Sequence, residues 1–234
     1  MKILVTGAKG FVGKNLVAEL RNRGYNEIYE CDINTTSEEL AEYAKNCEFV
    51  FHLAGVNRPE KEEDFMKGNF GFTSTLLDNL KANNNKSPIL ITSSIQAKLD
   101  NPYGKSKKAG EDLMFSYSKE NGVKVYVYRL TNLFGKWCRP NYNSVIATFC
   151  NNIANNLPIQ INDPNVVLNL AYIDDVVNEF INAMNGTASI KENYGYIILD
   201  YAYLAVIPGI AIVLLVLSFM LIGNSIRDNL EIKY

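Results

Sequence analysis

"KILVTGAKGFVGKNLVAELRNRGY", residues Lys2 to Tyr25, carries a strand, a glycine turn and a helix in one line. Ile3 to Thr6 is a short apolar run closed by Gly7, and Leu16, Leu20 and their neighbours keep a helical period after Gly13. Gly7, Gly10 and Gly13 form G-x-x-G-x-x-G. The first permits a tight turn and the second lets backbone N–H groups approach a pyrophosphate. The third lets the helix pack close to the strand, with its positive end facing the phosphates. A glycine triplet alone says little. Placed between a strand and a helix, it predicts a dinucleotide site built from Gly7, Gly10, Phe11, Val12 and Gly13.

The next strand is expected over Glu27–Cys31. Asp32 follows, about 20 residues beyond the glycines, where an acid accepts hydrogen bonds from the adenosine ribose and favours NAD. No arginine follows it to hold a 2′-phosphate, but Lys9 and Arg58 could bring charge from elsewhere, so NADP or NAD both stay open. Further strands read as "EFVFHLAG", "PILITSS" and "KVYVYRL", with helical stretches between them. This alternation predicts an α/β fold, a Rossmann-like doubly wound parallel sheet covered on both faces. His52 lies inside the third strand and reads as a satisfied core histidine. Leu53, Ala54 and Gly55 follow at its carboxyl end, small enough for a cofactor to lie against backbone.

Bulk composition narrows the function. The chain has 234 residues, 47% hydrophobic and 21% charged, as in a globular protein. A net charge of -2 gives no electrostatic reason to expect nucleic acid as a partner. The four cysteines, Cys31, Cys47, Cys138 and Cys150, lie far apart, which argues against a disulfide framework or zinc. His52 is the single histidine, so no metal site is expected.

"SSIQAKLDNPYGKSK" holds the chemistry. Tyr103 and Lys107 are four apart and share a helix face. A neighbouring ammonium is expected to lower the phenol's pKa from near ~10 and fit it for proton transfer at a sugar oxygen. Ser94 ends the preceding strand and can hydrogen-bond the same oxygen. In this order these residues resemble the extended short-chain dehydrogenase/reductases that act on nucleotide sugars, the NAD-dependent epimerase/dehydratase family. The resemblance runs from Met1 to about Ile197 through TGAKGFVG, HLAG, the Ser94, Tyr103, Lys107 set and YRLTNLFG. It implies catalytic roles for that set, with Tyr103 and Lys107 also touching the cofactor, and a supporting role for Asn69 at the cofactor site. It also implies that Asn132 meets substrate or nicotinamide and that "YIDD", Tyr172 to Asp175, packs a substrate domain.

"HLAGVNRPE" and "NLFGKWCRPNYNSVIATFC" look closest to the capsular-polysaccharide reductases within that family. This resemblance implies reduction of a UDP-linked 4-keto-6-deoxy amino sugar, with Arg139, Asn141 and Tyr142 lining the nucleotide-sugar pocket. Arg139 is the candidate for the diphosphate, because a guanidinium grips phosphate with two prongs. Those reductases continue into more substrate domain and a zinc-binding cupin domain, so the substrate part here is expected to be incomplete and epimerisation lost. The second reading is a catalytically impaired nucleotide-binding domain.

The domain is expected to span residues 1–197. Beyond it "LAVIPGIAIVLLVLSFMLIG", Leu204 to Gly223, has no charge and enough length to cross ~30 Å of hydrocarbon. A transmembrane helix is expected over 201–226, with a short polar tail over 227–234. The last thirty residues or so resemble the C-terminus of dipeptide/oligopeptide ABC transporter permeases. The sequence therefore reads as a composite, a cytoplasmic catalytic domain anchored to the membrane. Its expected partners are a UDP-sugar, the membrane and, as one option, a second copy in a homodimer.

Overall fold

A computed structural model describes residues 1–188, together with the backbone of Ile197–Asp200. The apolar run Leu204–Gly223 and the polar tail lie outside the described residues. Among the described residues no helix is long and apolar enough to cross a membrane.

Five strands fall where the apolar runs placed them: β1 (Ile3–Thr6), β2 (Ile28–Cys31), β3 (Phe49–His52), β4 (Ile89–Ser94) and β5 (Val125–Leu130). Glu27 falls just outside β2, yet its carbonyl still accepts from the Ile3 N–H at 2.9 Å. A further strand, β8 (Ile197–Asp200), pairs in parallel with β5, so the sheet continues to Asp200, just past the expected domain end. The order is β2-β1-β3-β4-β5-β8, all parallel. From β1 the chain moves one way to β2 and then returns to β3 on the other side. That reversal opens a crevice at the carboxyl ends of β1 and β3, where ligands of such sheets bind.

The connecting helices are α1 (Phe11–Asn22), α2 (Ser37–Asn46), the short α3 (Glu63–Phe65), α4 (Phe72–Ala82), α5 (Pro102–Asn121), α6 (Val145–Ala154) and α7 (Ile173–Met184). Strand residues alternate between two cores because successive side chains leave opposite faces. Ile3, Val5, Phe49, Phe51, Leu90, Tyr126 and Tyr128 join Leu16 and Leu20 of α1 and Val176 and Phe180 of α7. Leu4, Val50, Ile89, Ile91, Val125 and Val127 join Leu40 of α2, Leu76 and Leu80 of α4 and Met114 and Tyr117 of α5. Both faces are covered, as a parallel sheet requires. A two-stranded parallel sheet, β6 (Asn132–Phe134) with β7 (Leu170–Tyr172), stands apart from the main one. The "YIDD" segment ends β7 and opens α7. Its Ile173 is buried in the first core, so it packs on the main sheet as well as bordering the small one.

Candidate active site

The site grows from the turn after β1. Gly7 has φ +71, and a Cβ there would come within 2.8 Å of the Ala54 nitrogen. The turn therefore lies directly against the loop that follows β3. At Gly13 a Cβ would fall 2.2 Å from the Gly7 carbonyl oxygen, so only glycine lets α1 pack this closely on the turn. Gly10 caps α1 with no side-chain hydrogen bond, and the first turn has no acidic residue. By contrast α2 carries a full capping box, with Thr36 Oγ1 accepting from the Glu39 N–H at 3.2 Å. The first N–H groups of α1, at Phe11, Val12 and Gly13, are thus left for an external acceptor. The side chains of Phe11 and Val12 pack on the first core, so those two residues offer only backbone. The turn fits a dinucleotide pyrophosphate.

Asp32 sits at the far end of this turn. Its carboxylate is ion-paired with Lys9 and accepts from the Asn34 N–H at 2.7 Å. The Lys9 hydrogen bond holds its pKa below the ordinary value. The acid that favours a ribose and one of the cations named for a 2′-phosphate therefore occupy each other. Arg58, the other such cation, lies elsewhere: its guanidinium is 5.7 Å from the centroid of the Tyr142 ring.

Ser94, Tyr103 and Lys107 are brought together. Ser94 ends β4 and caps the 3₁₀ turn Ile95–Lys98 by accepting from the Gln96 N–H at 3.2 Å. Asn101 then caps α5, its Oδ1 accepting from the Gly104 N–H at 2.7 Å. This short connection returns Tyr103 over Ser94, whose hydroxyl lies close enough to favour the phenolate. Lys107, one turn on, lies 6.0 Å from the Tyr103 ring centroid and donates to the Thr92 carbonyl at 3.2 Å. Phe65 covers Tyr103 with ring centroids 5.6 Å apart.

The electrostatics correct the expected direction for the phenol. Burial raises the Tyr103 pKa, and the nearby Ser94 hydroxyl offsets only part of that. Burial acts on Lys107 instead, pulling its pKa down to about 8 against the pull of Glu111. The Tyr103 phenol is therefore protonated at neutral pH, and Lys107 is an ammonium close to its titration point. Glu111 is itself gripped by Arg129 of β5 in a buried two-pronged pair, at 2.8 and 2.6 Å. That pair fixes α5, and with it Tyr103 and Lys107, against the sheet.

Gly55 lies beside Lys107: a Cβ there would be 2.8 Å from both the Lys107 ammonium and the Asn69 Oδ1. Asn69 clamps the loop after β3, accepting from the Val56 N–H at 2.9 Å and donating to its carbonyl at 3.1 Å. It belongs to a π-helical segment, Met66–Gly71, of the kind that often marks functional sites. Asn69 thus holds the backbone of the loop that carries Leu53, Ala54 and Gly55.

A buried network joins these parts. The Ala54 N–H donates to Thr6 Oγ1 at 3.2 Å, and His52 is flanked by Thr6 and Thr73 hydroxyls, each at 2.8 Å. Thr73 spends its proton on the Asn69 carbonyl at 2.6 Å. His52 Nε2 must then carry the hydrogen, leaving Nδ1 to accept from Thr6. From Asn69 the network continues to Ser106, at 2.9 Å, and on to the Tyr103 carbonyl at 2.7 Å. His52 is a satisfied core histidine. Burial first, and the Lys107 charge second, lower its pKa to about 3. Sequence reading placed His52 but missed Thr6, Thr73 and Ser106, since hydroxyls carry no pattern that announces their partners.

The substrate candidates divide. Arg139 lies 5.7 Å from the Tyr142 ring centroid, and Tyr142 is close enough to Tyr103 to raise its pKa. Asn141 has φ +55, and its N–H donates to Thr148 Oγ1 at 2.9 Å. Asn132 is exposed on β6 and its amide donates to the Asn169 carbonyl at 3.4 Å, tying the small sheet together.

The parallel sheet and its glycine turn define a dinucleotide-binding fold of the short-chain type. The sequence matches the NAD dependent epimerase/dehydratase family over residues 3–198, and the chain belongs to that family. Its nicotinamide cofactor follows from that membership. The chain is 49% identical over 189 residues to a UDP-2-acetamido-2,6-beta-L-arabino-hexul-4-ose reductase of Pseudomonas aeruginosa, covering 81% of this chain and 51% of that one. It superposes on the capsular polysaccharide assembling protein CapF of Staphylococcus aureus with TM-score 0.75 and 50% identity, over 86% of this chain and 54% of that one. The chain thus spans about half the length of these two relatives. A UDP-glucuronic acid 4-epimerase of Bacillus cereus, solved with UDP-glucuronic acid and NAD, shares the fold at TM-score 0.71 and 19% identity, over 85% and 76%.

Proposed function

We propose that this chain reduces the 4-keto group of a UDP-linked 6-deoxy amino sugar with a reduced nicotinamide, as a step in making a capsular or other surface polysaccharide. The convergence of Ser94, Tyr103 and Lys107 beside the turn after β1 carries the reading. The name of the Pseudomonas aeruginosa relative, a hexul-4-ose reductase, supports the substrate class. When bound, the nicotinamide supplies hydride; everything else falls to the chain. The uncapped N-terminus of α1 holds the pyrophosphate, and Asp32 or Lys9 meets the adenosine ribose. Tyr103, kept neutral by burial, donates its proton to the carbonyl oxygen as it gains charge, and the Ser94 hydroxyl holds that same oxygen. The Lys107 ammonium favours the phenolate left behind. On sequence grounds we further propose that Leu204–Gly223 anchors the chain to a membrane.

The test is consumption of reduced nicotinamide that depends on a UDP-linked 4-keto-6-deoxy amino sugar. Steady consumption with the keto sugar and none without it is expected. Equal consumption with and without the sugar would refute the assignment.

A further inference from the structure

We infer that His52 is a positioning residue: its two ring nitrogens anchor both clamps on the loop of residues 53–56, and through that loop they set where the Lys107 ammonium stands. The inference rests on the reductase reading above and gives a role to the single histidine of the chain, buried in β3. The first clamp starts at the Ala54 N–H, which donates to Thr6 Oγ1 at 3.2 Å, and Thr6 in turn donates to His52 Nδ1 at 2.8 Å. The second clamp is Asn69, whose side-chain amide holds both the N–H and the carbonyl of Val56, at 2.9 and 3.1 Å. The backbone carbonyl of Asn69 is held by Thr73 Oγ1 at 2.6 Å, and Thr73 accepts from His52 Nε2 at 2.8 Å. Gly55 lies between the two clamped residues, and a Cβ there would come within 2.8 Å of the Lys107 ammonium. Any shift of the loop therefore changes the space around that nitrogen.

Three observations separate this from ordinary packing. The other residues of β3 are Phe49, Val50 and Phe51, all buried, and the Phe72 ring lies 5.7 Å from the imidazole, so these surroundings suit an apolar side chain. A buried polar group in such a place needs every partner, and a network satisfied in full specifies one arrangement. The hydrogen bonds also run in one direction. Thr6 and Thr73 each accept one bond and donate another, so neither hydroxyl can turn without orphaning a backbone group. Only the ring protonated at Nε2 fits between them. Finally, the ring sits where two parts of the site meet. Thr6 ends β1 beside the glycine turn and pairs in register with His52, whereas Thr73 lies on α4 behind Asn69. From Asn69 the chain of bonds goes on at 2.9 Å to Ser106 of α5, the residue just before Lys107.

The experiment compares the full chain with two variants that each keep one half of the imidazole. Asparagine places an acceptor oxygen where Nδ1 stands and keeps the Thr6 bond, whereas glutamine places an N–H donor where Nε2 stands and keeps the Thr73 bond. Affinity for NADH or NADPH, whichever wild type binds more tightly, is read by calorimetry, and kcat is read with the UDP-linked keto sugar. His52→Gln should bind cofactor about tenfold more weakly at near wild-type kcat, because the residue it loosens, Ala54, lies against the glycine turn. His52→Asn should bind cofactor as wild type does while kcat falls about tenfold, because the residue it loosens, Val56, adjoins Gly55 and Lys107. A histidine that serves folding alone would leave both constants at wild-type values in the folded fraction of each variant, and that result would overturn the inference. Parallel losses of affinity and kcat in both variants would overturn it too. Nitrogen-15 NMR of labelled histidine needs no variant, since one histidine gives one pair of ring signals. A protonated Nε2 with a bare Nδ1 is expected at neutral pH; the other tautomer, or a mixture, would break the chain of bonds and overturn the inference. A wild type that reduces no keto sugar removes the reductase, and the tautomer and the cofactor affinities of the two variants still decide the role of His52.

Discussion

At the scale of single residues the account turns on Tyr103. Tyr103→Phe keeps the ring against Phe65 but removes the proton donor. Cofactor affinity should persist while turnover drops by roughly a hundredfold or more, as measured by calorimetry and initial rates. Lys107 gives the pH dependence. Its pKa stands near 8, so the ammonium is intact below that pH and is lost above it. The profile of kcat/KM should therefore fall on the alkaline side from about 8, well before an ordinary lysine would titrate; a flat profile there would contradict the assignment. His52 acts on stability. Its pKa falls from 6.5 to about 3 on folding, so the unfolded chain binds the extra proton between those values. The network's contribution is complete above 6.5 and is lost as pH falls toward 3. His52→Gln should flatten that acid limb in urea midpoints measured against pH. The pair Tyr103 and Lys107 was legible because a helix puts i and i+4 on one face. The direction of the phenol's shift was not, because burial is set by Phe65 and the sheet, which spacing does not reveal. The contact of Arg58 with Tyr142 was hidden for a similar reason: the two lie far apart along the chain.

At the scale of elements the N-terminus of α1 is the feature that matters most. Gly10 has φ -72, an ordinary value, and a Cβ there would sit 3.1 Å from the Gly7 carbonyl oxygen, tight but confined to one atom. Aspartate is a favoured cap and its charge suits the helix dipole. Gly10→Asp should therefore leave thermal stability near wild type while abolishing cofactor binding, because the carboxylate takes the place of the pyrophosphate. Equal affinity by calorimetry would remove the turn from the site. The five strands were legible from their apolar runs, and α1 from its period, because each buries a face in one of the two cores. The π-helical segment at Met66–Gly71 was not, and neither was the bond from its Asn69 back to Val56, since no local pattern announces either. The Arg129–Glu111 pair was equally hidden. Such a buried pair is costly to break from one side, by about 3–5 kcal/mol, so Glu111→Ala should unfold at markedly lower denaturant than wild type.

At the scale of the whole molecule, the sheet runs from the first residues to Asp200, and β8 covers the open edge of β5. A chain ending at Asp200 should keep its cofactor affinity and stay in the soluble fraction. The full chain should resist a carbonate wash if Leu204–Gly223 anchors it, and its release would refute the anchor. That run is legible as composition alone and lies outside the described residues. The substrate side was the least legible part. The small sheet of β6 and β7 and the loop bearing Arg139 depend on contacts between distant segments, Asn132 with Asn169 and Ile173 with Gly135, rather than on any local pattern. The most direct test of the central claim follows the hydride itself. Reduced nicotinamide carrying deuterium at its reactive carbon is supplied with the UDP-linked 4-keto sugar, and the product is read by mass spectrometry and NMR. The account predicts deuterium at sugar carbon 4 with wild type and almost none with Tyr103→Phe. Unlabelled product, or equal labelling by both proteins, would contradict it.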